Sequence, residues 1–139
     1  MPAIEGSCLC GAVRLSVARA PISVTQCNCS TCRRYGTLWA YYQRCFVSIA
    51  PRAALASYSV RRGGLRFVRC KTCGCVVAWE GARGPNGRMG VNSRLLDHAA
   101  LARVPISVLD GDATWRVLAK APHPEVWISP SRATVRAKR

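Results

Sequence analysis

The sequence predicts a single domain that is mainly β-structure and is held together by metal ions. Short segments in which apolar and polar residues alternate outnumber segments with helical spacing throughout the chain. Glycines and prolines separate these segments, as expected of strands that are joined by tight turns. In addition, seven of the nine cysteines form three close groups, namely Cys8 with Cys10, Cys27 with Cys29 and Cys32, and Cys70 with Cys73, a density that packing does not explain.

The predicted elements are short strands joined by turns. Helical structure is expected only as brief turns at Arg33–Gly36, where a glycine ends it, and within Ser93–Leu101. Glycine-containing turns are expected at Gly63-Gly64 and at Gly84-Pro85-Asn86-Gly87. The predicted strands are Ala12–Ala18, Ile22–Thr25, Thr37–Tyr42, Cys45–Ile49, Leu55–Val60, Leu65–Arg69, Val76–Glu80, Pro105–Leu109 and Trp115–Leu118.

The length of 139 residues fits one ordinary domain. We assign residues 1–120 to a metal-binding domain and residues 121–139 to a C-terminal extension with a basic tail. The odd number of cysteines, their clustering and the lack of an export signal argue against a secreted disulfide scaffold. No apolar run approaches the roughly 18 residues of a membrane helix. We therefore expect a soluble protein in the reducing cytoplasm.

The chain is strongly basic, because 21 lysines and arginines outnumber six acidic residues and give a formal net charge of +15. Two regions concentrate this charge, Arg61 to Lys71 and the tail after Pro130, and neither contains an acidic residue. Such charge attracts anions of every kind, from nucleic acid to small carboxylates. We expect a solvated face and a frayed tail, with a dedicated nucleic-acid site as the alternative.

Three cysteines within six residues, Cys27, Cys29 and Cys32, are the strongest functional signal. Their sulfurs can surround one ion in a tight turn at a strand end. Zinc is the best candidate, because it accepts thiolates in tetrahedral geometry. Catalytic zinc sites use three protein ligands and leave one position open, whereas structural sites use four. This group therefore predicts a catalytic zinc.

A second metal site is predicted from two cysteine pairs that are distant in sequence. Cys8 and Cys10 are flanked by glycines, and Cys70 and Cys73 form a Cys-x-x-Cys turn before Gly74. Alone, the second pair is ambiguous between a redox pair and half of a zinc site. Together the two pairs supply four thiolates, which predicts a closed structural zinc and a total of two zinc ions per chain.

With these motifs in place, the sequence resembles the family of glutathione-dependent formaldehyde-activating enzymes, whose domain is shared with centromere protein V. The resemblance runs from about Gly6 to Trp115. The matching residues are Gly6-Ser7-Cys8-x-Cys10-Gly11, Cys27-x-Cys29-Ser30-x-Cys32-Arg33 and Cys70-x-x-Cys73-Gly74, with weaker matches at Val91-Asn92 and Leu96-Asp97.

The resemblance implies a β-tent fold, in which zinc pins antiparallel sheets. It also implies that the two cysteine pairs hold a structural zinc and that Cys27, Cys29 and Cys32 hold a catalytic one. The family's reaction adds glutathione to formaldehyde reversibly, gives S-hydroxymethylglutathione and is classed as a carbon–sulfur lyase. The expected function is this addition with glutathione or a similar thiol and formaldehyde or a related small aldehyde. The competing hypothesis is a zinc-stabilised basic module that binds nucleic acid or chromatin without catalysis.

The chemistry of three thiolates agrees with that expectation. They donate strongly to zinc, so a bound water is activated less than on a three-histidine site, and capture of a fourth thiolate is favoured. Ser30 and Thr31 inside the group, with Arg33 and Arg34 just beyond it, are candidate hydrogen-bond donors and carboxylate anchors. Ordinary surface polarity is an equal alternative for each of them.

No general base stands out in the sequence. His98 and His123 lie far from the cysteine groups and are expected to be surface or packing residues. Trp39, Tyr41 and Tyr42 are candidates for a pocket wall, although core packing is favoured for each.

The two remaining cysteines receive no role in the metal sites. Cys45 lies among apolar residues and is expected to be a small buried hydrophobe. Cys75 is expected to be a buried thiol in a strand, and the alternative is a fourth ligand that would close the three-cysteine group. A thiol redox sensor that uses Cys45 or Cys75 is a third functional hypothesis.

Overall fold

The protein has the mainly β fold that the sequence predicts. The structure is a computed structural model, and it describes residues 2–60, 64–81 and 87–121. Several predictions fall on other residues, namely Arg61 and Arg62, the turn residues Gly63 and Gly84–Asn86, His123 and the basic tail. Within the described ranges, no helix is long and apolar enough to cross a membrane.

The described residues form eleven strands, one α-helix and four 3₁₀ turns. The helix is α1 (Ser30–Tyr35), and the 3₁₀ turns are Arg44–Phe46, Arg52–Ala54, Ser93–Leu95 and Ala99–Leu101. The strands are β1 (Ile4–Ser7), β2 (Arg14–Val17), β3 (Val24–Cys27), β4 (Trp39–Gln43), β5 (Val47–Ala50), β6 (Leu55–Ser59), β7 (Arg66–Cys70), β8 (Val76–Glu80), β9 (Arg88–Asn92), β10 (Ile106–Leu109) and β11 (Val117–Ala121).

These strands build two sheets. One has the order β1-β2-β5, and the other has the order β11-β10-β3-β4-β9-β8-β7-β6. Neighbouring strands pair antiparallel except β3 and β10, which pair in parallel from Val24 opposite Ile106 to Cys27 opposite Leu109. Parallel pairing requires a long connection, and these two strands are far apart in sequence. Since β3 lies inside the larger sheet, its last residue, Cys27, is surrounded by elements from several parts of the chain.

One hydrophobic core joins the two sheets. Leu15 and Val17 of β2 are buried in the same cluster as Val68, Ala78 and Val91 of the larger sheet. The last three are directly paired across β7, β8 and β9, so their side chains share one face. Full burial of an aliphatic side chain such as Leu15 or Val68 contributes about 1.5–3 kcal/mol, so this core stabilises the packing of the two sheets.

The opposite face of the larger sheet carries a row of aromatic side chains. Tyr41, Gly90, Trp79 and Phe67 are aligned across β4, β9, β8 and β7. The Trp79 indole lies over Gly90, where a Cβ would overlap it. Helix α1 packs on the same face, because the Tyr35 and Phe67 ring centroids are 5.4 Å apart. The residues of α1 are thus placed above this face.

Helix α1 begins earlier than the sequence predicts. It starts at Ser30 rather than Arg33, because the Cys29 side chain caps it by accepting the N–H of Cys32. It ends as predicted at Gly36, whose φ of 65° is favourable only for glycine among ordinary residues. The cysteine group is therefore part of the helix start.

Other local predictions also differ from the structure. The strand predicted from Trp115 begins only at Val117. Cys45 is exposed in a 3₁₀ turn, so the prediction of a buried thiol in a strand is wrong there, and β5 begins only at Val47. Strand β1 was not predicted, because Glu5 and Gly6 interrupt its apolar pattern. It forms through pairing with β2, from Ile4 opposite Val17 onwards.

Candidate metal centres

Two groups of cysteine sulfurs lie close enough together to hold a metal ion, and they are the two groups that the sequence predicts. Within each group, all Sγ atoms lie within 4.8 Å of one another. The four-cysteine site consists of Cys8, Cys10, Cys70 and Cys73, and the three-cysteine site consists of Cys27, Cys29 and Cys32.

The four-cysteine site joins the two sheets. Cys8 follows β1 of the smaller sheet, and Cys70 is the last residue of β7 in the larger one. Gly11 and Gly74 each directly follow the second cysteine of a pair, with φ values of 80° and 78°. This left-handed conformation costs other residues about 1–2 kcal/mol. The glycines therefore allow both loops to turn tightly enough for the cysteine pairs to face one point.

The sulfur spacing in the four-cysteine site fits a tetrahedral zinc ion. The Sγ of Cys10 lies 3.6 Å from that of Cys8 and 3.7 Å from that of Cys70. Zinc–thiolate bonds of about 2.3 Å at tetrahedral angles place sulfurs about 3.8 Å apart. The Val13 N–H donates to the Cys8 Sγ at 3.3 Å, and the Thr72 N–H donates to the Cys70 Sγ at 3.4 Å. Such donors favour the thiolate form that zinc requires.

The thiols of this site differ in their tendency to ionise. Backbone N–H groups, first that of Cys75, lower the pKa of Cys73 from 9.0 to about 5. The backbone N–H of Cys73 also lowers the pKa of Cys70. The Ala12 N–H favours ionisation of Cys10. Desolvation and the neighbouring thiols outweigh this effect and raise the pKa of Cys10 to about 11. A bound cation would allow all four thiols to ionise, because it stabilises every thiolate at once.

The three-cysteine site is built from one strand end and the helix that follows it. Cys27 is the last residue of β3, Cys29 is the N-cap of α1, and Cys32 lies within α1. The Cys29 Sγ accepts the Cys32 N–H at 3.3 Å, and the Cys27 Sγ accepts the Cys29 N–H at 3.5 Å. The three sulfurs are thus brought together within one short segment.

These three thiols lie in different environments. Burial raises the pKa of Cys27 and that of Cys32. Burial acts in the same direction on Cys29, but the Cys32 N–H and neighbouring thiols outweigh it and lower the pKa of Cys29. The Trp39 Nε1–H donates to the Cys32 Sγ at 3.2 Å. A cation is therefore needed to hold all three as thiolates at neutral pH.

A cleft of about 230 Å³ opens beside Cys27 and Cys32. Two arginines line it, Arg33 from α1 and Arg94 from the 3₁₀ turn after β9. Arg94 is half-buried, and burial lowers its pKa. Guanidinium groups match carboxylates in shape and charge. The cleft thus combines two metal-ligating thiols with two groups that suit an anionic ligand.

Arg94 is the site residue that the sequence analysis missed. The Asn92 Oδ1 accepts the Arg94 N–H at 3.3 Å, and the Asn92 Nδ2 donates to the Val76 carbonyl at 2.8 Å. These bonds fix the start of the turn that carries Arg94. Its position two residues after the Val91-Asn92 motif is a signal that the sequence does contain.

The four polar residues predicted to contact a substrate are not equivalent in the structure. Arg33 lines the cleft, whereas the Arg34 Nη1 donates to the Ser30 carbonyl at 2.9 Å. Ser30 is exposed and Thr31 is half-buried. Of the four, Arg33 alone is among the described residues that line the cleft.

The aromatic candidates divide between the core and a second cavity. Trp39 is buried and supports the site through its bond to Cys32. Tyr41 and Tyr42 line a separate cavity of about 880 Å³, where the Arg88 guanidinium lies 4.6 Å from the Tyr41 ring centroid. The Tyr42 hydroxyl donates to the Arg19 carbonyl at 2.9 Å. Core packing, which the sequence analysis favoured, describes Trp39 and Tyr42.

Cys75 belongs to neither sulfur group among the described residues. It is half-buried just before β8 and packs against the core, rather than lying fully buried within the strand. The alternative in which Cys75 closes the three-cysteine site is therefore not realised. His98 is exposed, as expected, and His123 lies outside the described ranges.

Comparison with known proteins agrees with this geometry. Residues 3–108 match the model of a protein family described as glutathione-dependent formaldehyde-activating enzyme. The fold resembles the crystal structure of a Rhodobacter sphaeroides protein, a Northeast Structural Genomics target, with a TM-score of 0.59 and 27% sequence identity. That match covers 74% of this chain and 99% of the other. No curated protein matches this chain significantly. Both cysteine sites lie within the residues that match the family.

Proposed function

Because this chain belongs to the glutathione-dependent formaldehyde-activating enzyme family, we propose that it is a zinc-dependent carbon–sulfur lyase that adds glutathione or a similar thiol to formaldehyde or a related small aldehyde. In this proposal the four-cysteine site holds a structural zinc and the three-cysteine site holds a catalytic one. Family membership supports the class of reaction, and the environments of the two sites support the division of roles.

The cleft beside Cys27 and Cys32 is the observation that carries this proposal. A site with three sulfur ligands has a position left for a substrate atom, and the cleft gives that atom a path to it. The four-cysteine site already has the four ligands that a structural zinc requires. Only the three-cysteine site therefore combines an incomplete ligand set with space for a ligand.

The proposed reaction forms a sulfur–carbon bond and consumes no oxidant. Zinc at the three-cysteine site would supply a positive charge that keeps the substrate thiol deprotonated at neutral pH. The thiolate sulfur bonds to the carbonyl carbon of the aldehyde, and the electron pair of the C=O bond moves to the oxygen. That oxygen takes up a proton equivalent to the one that the thiol lost. The reverse step releases both reactants.

The protein's own residues orient the two reactants. Arg33 and Arg94 line the cleft, and we assign them to the carboxylates of the thiol. Ser30 and Thr31 lie next to the cysteines but are not among the described residues that line the cleft, so we assign neither of them a contact with the reactants. The indole N–H of Trp39 holds the Cys32 sulfur in place.

The nucleic-acid hypothesis has less support from the basic region. Arg66 forms an ion pair with the buried Glu80 carboxylate. The Lys71 Nζ donates to the Ala53 carbonyl at 2.8 Å. These cations are partly engaged within the protein, so fewer remain for phosphate groups than the sequence suggests. A basic module that binds nucleic acid therefore remains only the alternative to the proposed enzyme.

Cobalt substitution tests the proposed function directly. Thiolate-to-cobalt charge-transfer absorption should grow when a thiolate is added to the three-cysteine site. Glutathione should therefore raise this band, whereas S-methylglutathione, which keeps the carboxylates but cannot form a thiolate, should not. A spectrum that does not respond to glutathione would contradict thiol binding at this site.

Two adjacent arginines provide a matched control. Arg33→Ala should weaken the cobalt response to glutathione about 10-fold or more, because it removes a charged partner of a carboxylate. Arg34→Ala removes the same charge one residue away, where the side chain binds the Ser30 carbonyl instead of lining the cleft. It should change the response by less than about threefold. Equal effects would mean that overall charge, rather than the cleft, attracts the ligand.

A further inference from the structure

The loop between β10 and β11, residues Asp110–Arg116, contacts the three-cysteine site from outside its own segment. Gly111 lies so close to Cys27 that a Cβ on this glycine would overlap the Cys27 Sγ. The same Cβ would lie 3.5 Å from the Cys29 Cβ. The 110–116 loop therefore packs against two of the three metal-ligating side chains.

Hydrogen bonds hold the 110–116 loop against the residue between those cysteines. The Asn28 Nδ2 donates to the Asp110 Oδ1 at 3.0 Å, and the Asn28 Oδ1 accepts the Asp112 N–H at 3.0 Å. Inside the loop, the Asp110 Oδ2 accepts the N–H and the hydroxyl of Thr114 at 3.2 and 2.8 Å. The position of the loop relative to the site is thus defined by side chains at both ends of the contact.

Trp115 projects from this loop with an unfavourable backbone conformation. Its φ is 59°, and no other non-glycine residue in the described ranges has a positive φ. Its N–H donates to the Asp110 carbonyl at 2.7 Å, which helps to maintain this conformation. Its side chain is 71% exposed, although a large apolar ring gains most from burial. Strained residues persist where the surrounding structure determines them and are concentrated at functional sites.

The Trp115 ring lies at the rim of the three-cysteine site. Its Cζ3 is 3.8 Å from the point that a Cβ on Gly111 would occupy, and that point overlaps the Cys27 sulfur. A ligand whose sulfur enters the site carries its next few atoms through the space around these cysteines. An exposed indole beside them is placed to contact those atoms.

We propose that the 110–116 loop selects the substrate and that Trp115 is its specificity-determining residue. This inference rests on the proposed function and deepens it: the preferred substrate is a thiol with a flat apolar group a few bonds from its sulfur. The indole packs against that group while the reacting sulfur occupies the three-cysteine site. The loop lies just beyond residues 3–108, the range that matches the family model, at the end of the motif resemblance that runs to about Trp115.

Two thiols that differ in the apolar group test the proposal. The cobalt-substituted protein is titrated with benzyl mercaptan, which carries a ring next to the reacting carbon–sulfur unit, and with ethanethiol, which carries none. Trp115→Ala should raise the Kd for benzyl mercaptan about 3- to 10-fold, as expected for loss of a ring contact. The Kd for ethanethiol should change by less than about twofold.

Tyr58→Ala is the matched control. Tyr58 is an aromatic residue that is 55% exposed on β6, at the opposite edge of the larger sheet from β11. Its replacement should leave both Kd values unchanged. Where the alanine variant of Trp115 does not fold, Trp115→Phe and Trp115→Leu answer the same question, because only the first keeps an aromatic ring. Phenylalanine should retain the preference for benzyl mercaptan, and leucine should reduce it.

The possible outcomes separate the two proposals. Equal weakening of both thiols, or no weakening of either, would overturn the assignment of Trp115 and leave the proposed function intact. Equal preference in the phenylalanine and leucine variants would overturn it as well. A wild-type site that responds to glutathione but to neither of these thiols would overturn this inference alone, whereas a site that responds to none of the three would contradict the proposed function as well.

Discussion

The two cysteine sites use the same ligand chemistry but are built into the fold differently. The three-cysteine site takes all its ligands from the segment Cys27–Cys32. The four-cysteine site brings together Cys10 and Cys70, which are 60 positions apart, and joins the two sheets. An ion that closes a long loop between distant segments restricts the unfolded chain more than an ion held by one short segment does. We therefore expect an ion at the four-cysteine site to contribute more to stability than an ion at the three-cysteine site.

The largest effect is expected from serine substitutions that compare the two sites. Cys70→Ser should abolish cooperative folding, because apparent binding energies of structural zinc are on the order of 10 kcal/mol and act as folding energy. Cys29→Ser should leave a folded protein with one metal ion fewer. Circular dichroism during urea unfolding, together with metal analysis of the freshly reduced protein, measures both. Similar loss of structure in the two variants would show that the sites do not differ in this way.

A second comparison separates metal binding from other sources of stability in the larger sheet. The Glu80 carboxylate in β8 is buried and forms ion pairs with Arg52 at 2.7 Å, with Arg44 at 3.6 Å and with Arg66. Glu80→Gln would leave three guanidinium groups around a neutral amide, which should cost about 3 kcal/mol in the free energy of unfolding. Both metal ions should remain bound, so this variant loses stability without losing metal. Loss of metal in Glu80→Gln would mean that the sites are not independent of this ion pair.

The contribution of Glu80 should also depend on pH. Burial opposes its ionisation, but hydrogen bonds from Arg52 and Arg66 outweigh burial and lower the pKa from 4.5 to about 2. Because the folded-state pKa lies below the unfolded value, the stabilisation is complete above 4.5 and is lost as the pH falls towards 2. The difference in unfolding free energy between wild type and Glu80→Gln should therefore narrow below pH 4.5. A difference that widens on acidification would contradict this assignment.

The contrast between the two cysteine sites also explains how much of each site could be predicted from the sequence. The three-cysteine site was predictable because its ligands and its helix cap at Cys29 lie in one segment. The four-cysteine site was predictable because cysteine spacing reflects the geometry of a metal. Arg94 and Gly111 were missed, because they reach the site through the pairing of β9 with β4 and of β10 with β3. Such pairing depends on the whole sheet rather than on a local pattern.

Cys45 also shows that a local pattern does not determine strand pairing, here because the sequence predicts burial and the structure shows exposure. Its apolar neighbours predict a buried strand, yet the chain forms a 3₁₀ turn there and exposes the thiol. Burial is decided by which sheet receives the strand, and β5 pairs with β2 only from Val47 onwards. A local hydrophobic pattern cannot specify where that pairing begins.

Glycine-to-alanine substitutions near the two cysteine sites should have effects of intermediate size. A Cβ on Gly6, near the four-cysteine site, would overlap the Leu95 carbonyl, and backbone atoms cannot move aside easily. Gly6→Ala should therefore lower the unfolding free energy by about 2 kcal/mol. A Cβ on Gly111 would instead meet the Cys27 side chain, so Gly111→Ala should fold but lose metal or the thiol response at the three-cysteine site. Urea unfolding and metal analysis of both variants test this, and the reverse result would contradict it.

The smallest effect concerns the strained backbone at Trp115. A left-handed conformation costs a non-glycine residue about 1 kcal/mol or more, and glycine adopts it freely. Trp115→Gly should therefore be more stable than Trp115→Ala by about 1 kcal/mol, a rise in Tm of a few degrees. Both variants should lose the preference for benzyl mercaptan, because neither has the ring.

A matched pair of variants at Tyr58 tests whether this gain comes from the backbone conformation. Tyr58 lies within β6, where extended backbone favours alanine over glycine. Tyr58→Gly should therefore be less stable than Tyr58→Ala, the opposite order from that at Trp115. Thermal unfolding of the four variants measures both differences. The same order at both positions would mean that Trp115 carries no backbone strain. Opposite orders, together with loss of thiol preference only at Trp115, would mean that stability is given up at this position for the contact with substrate.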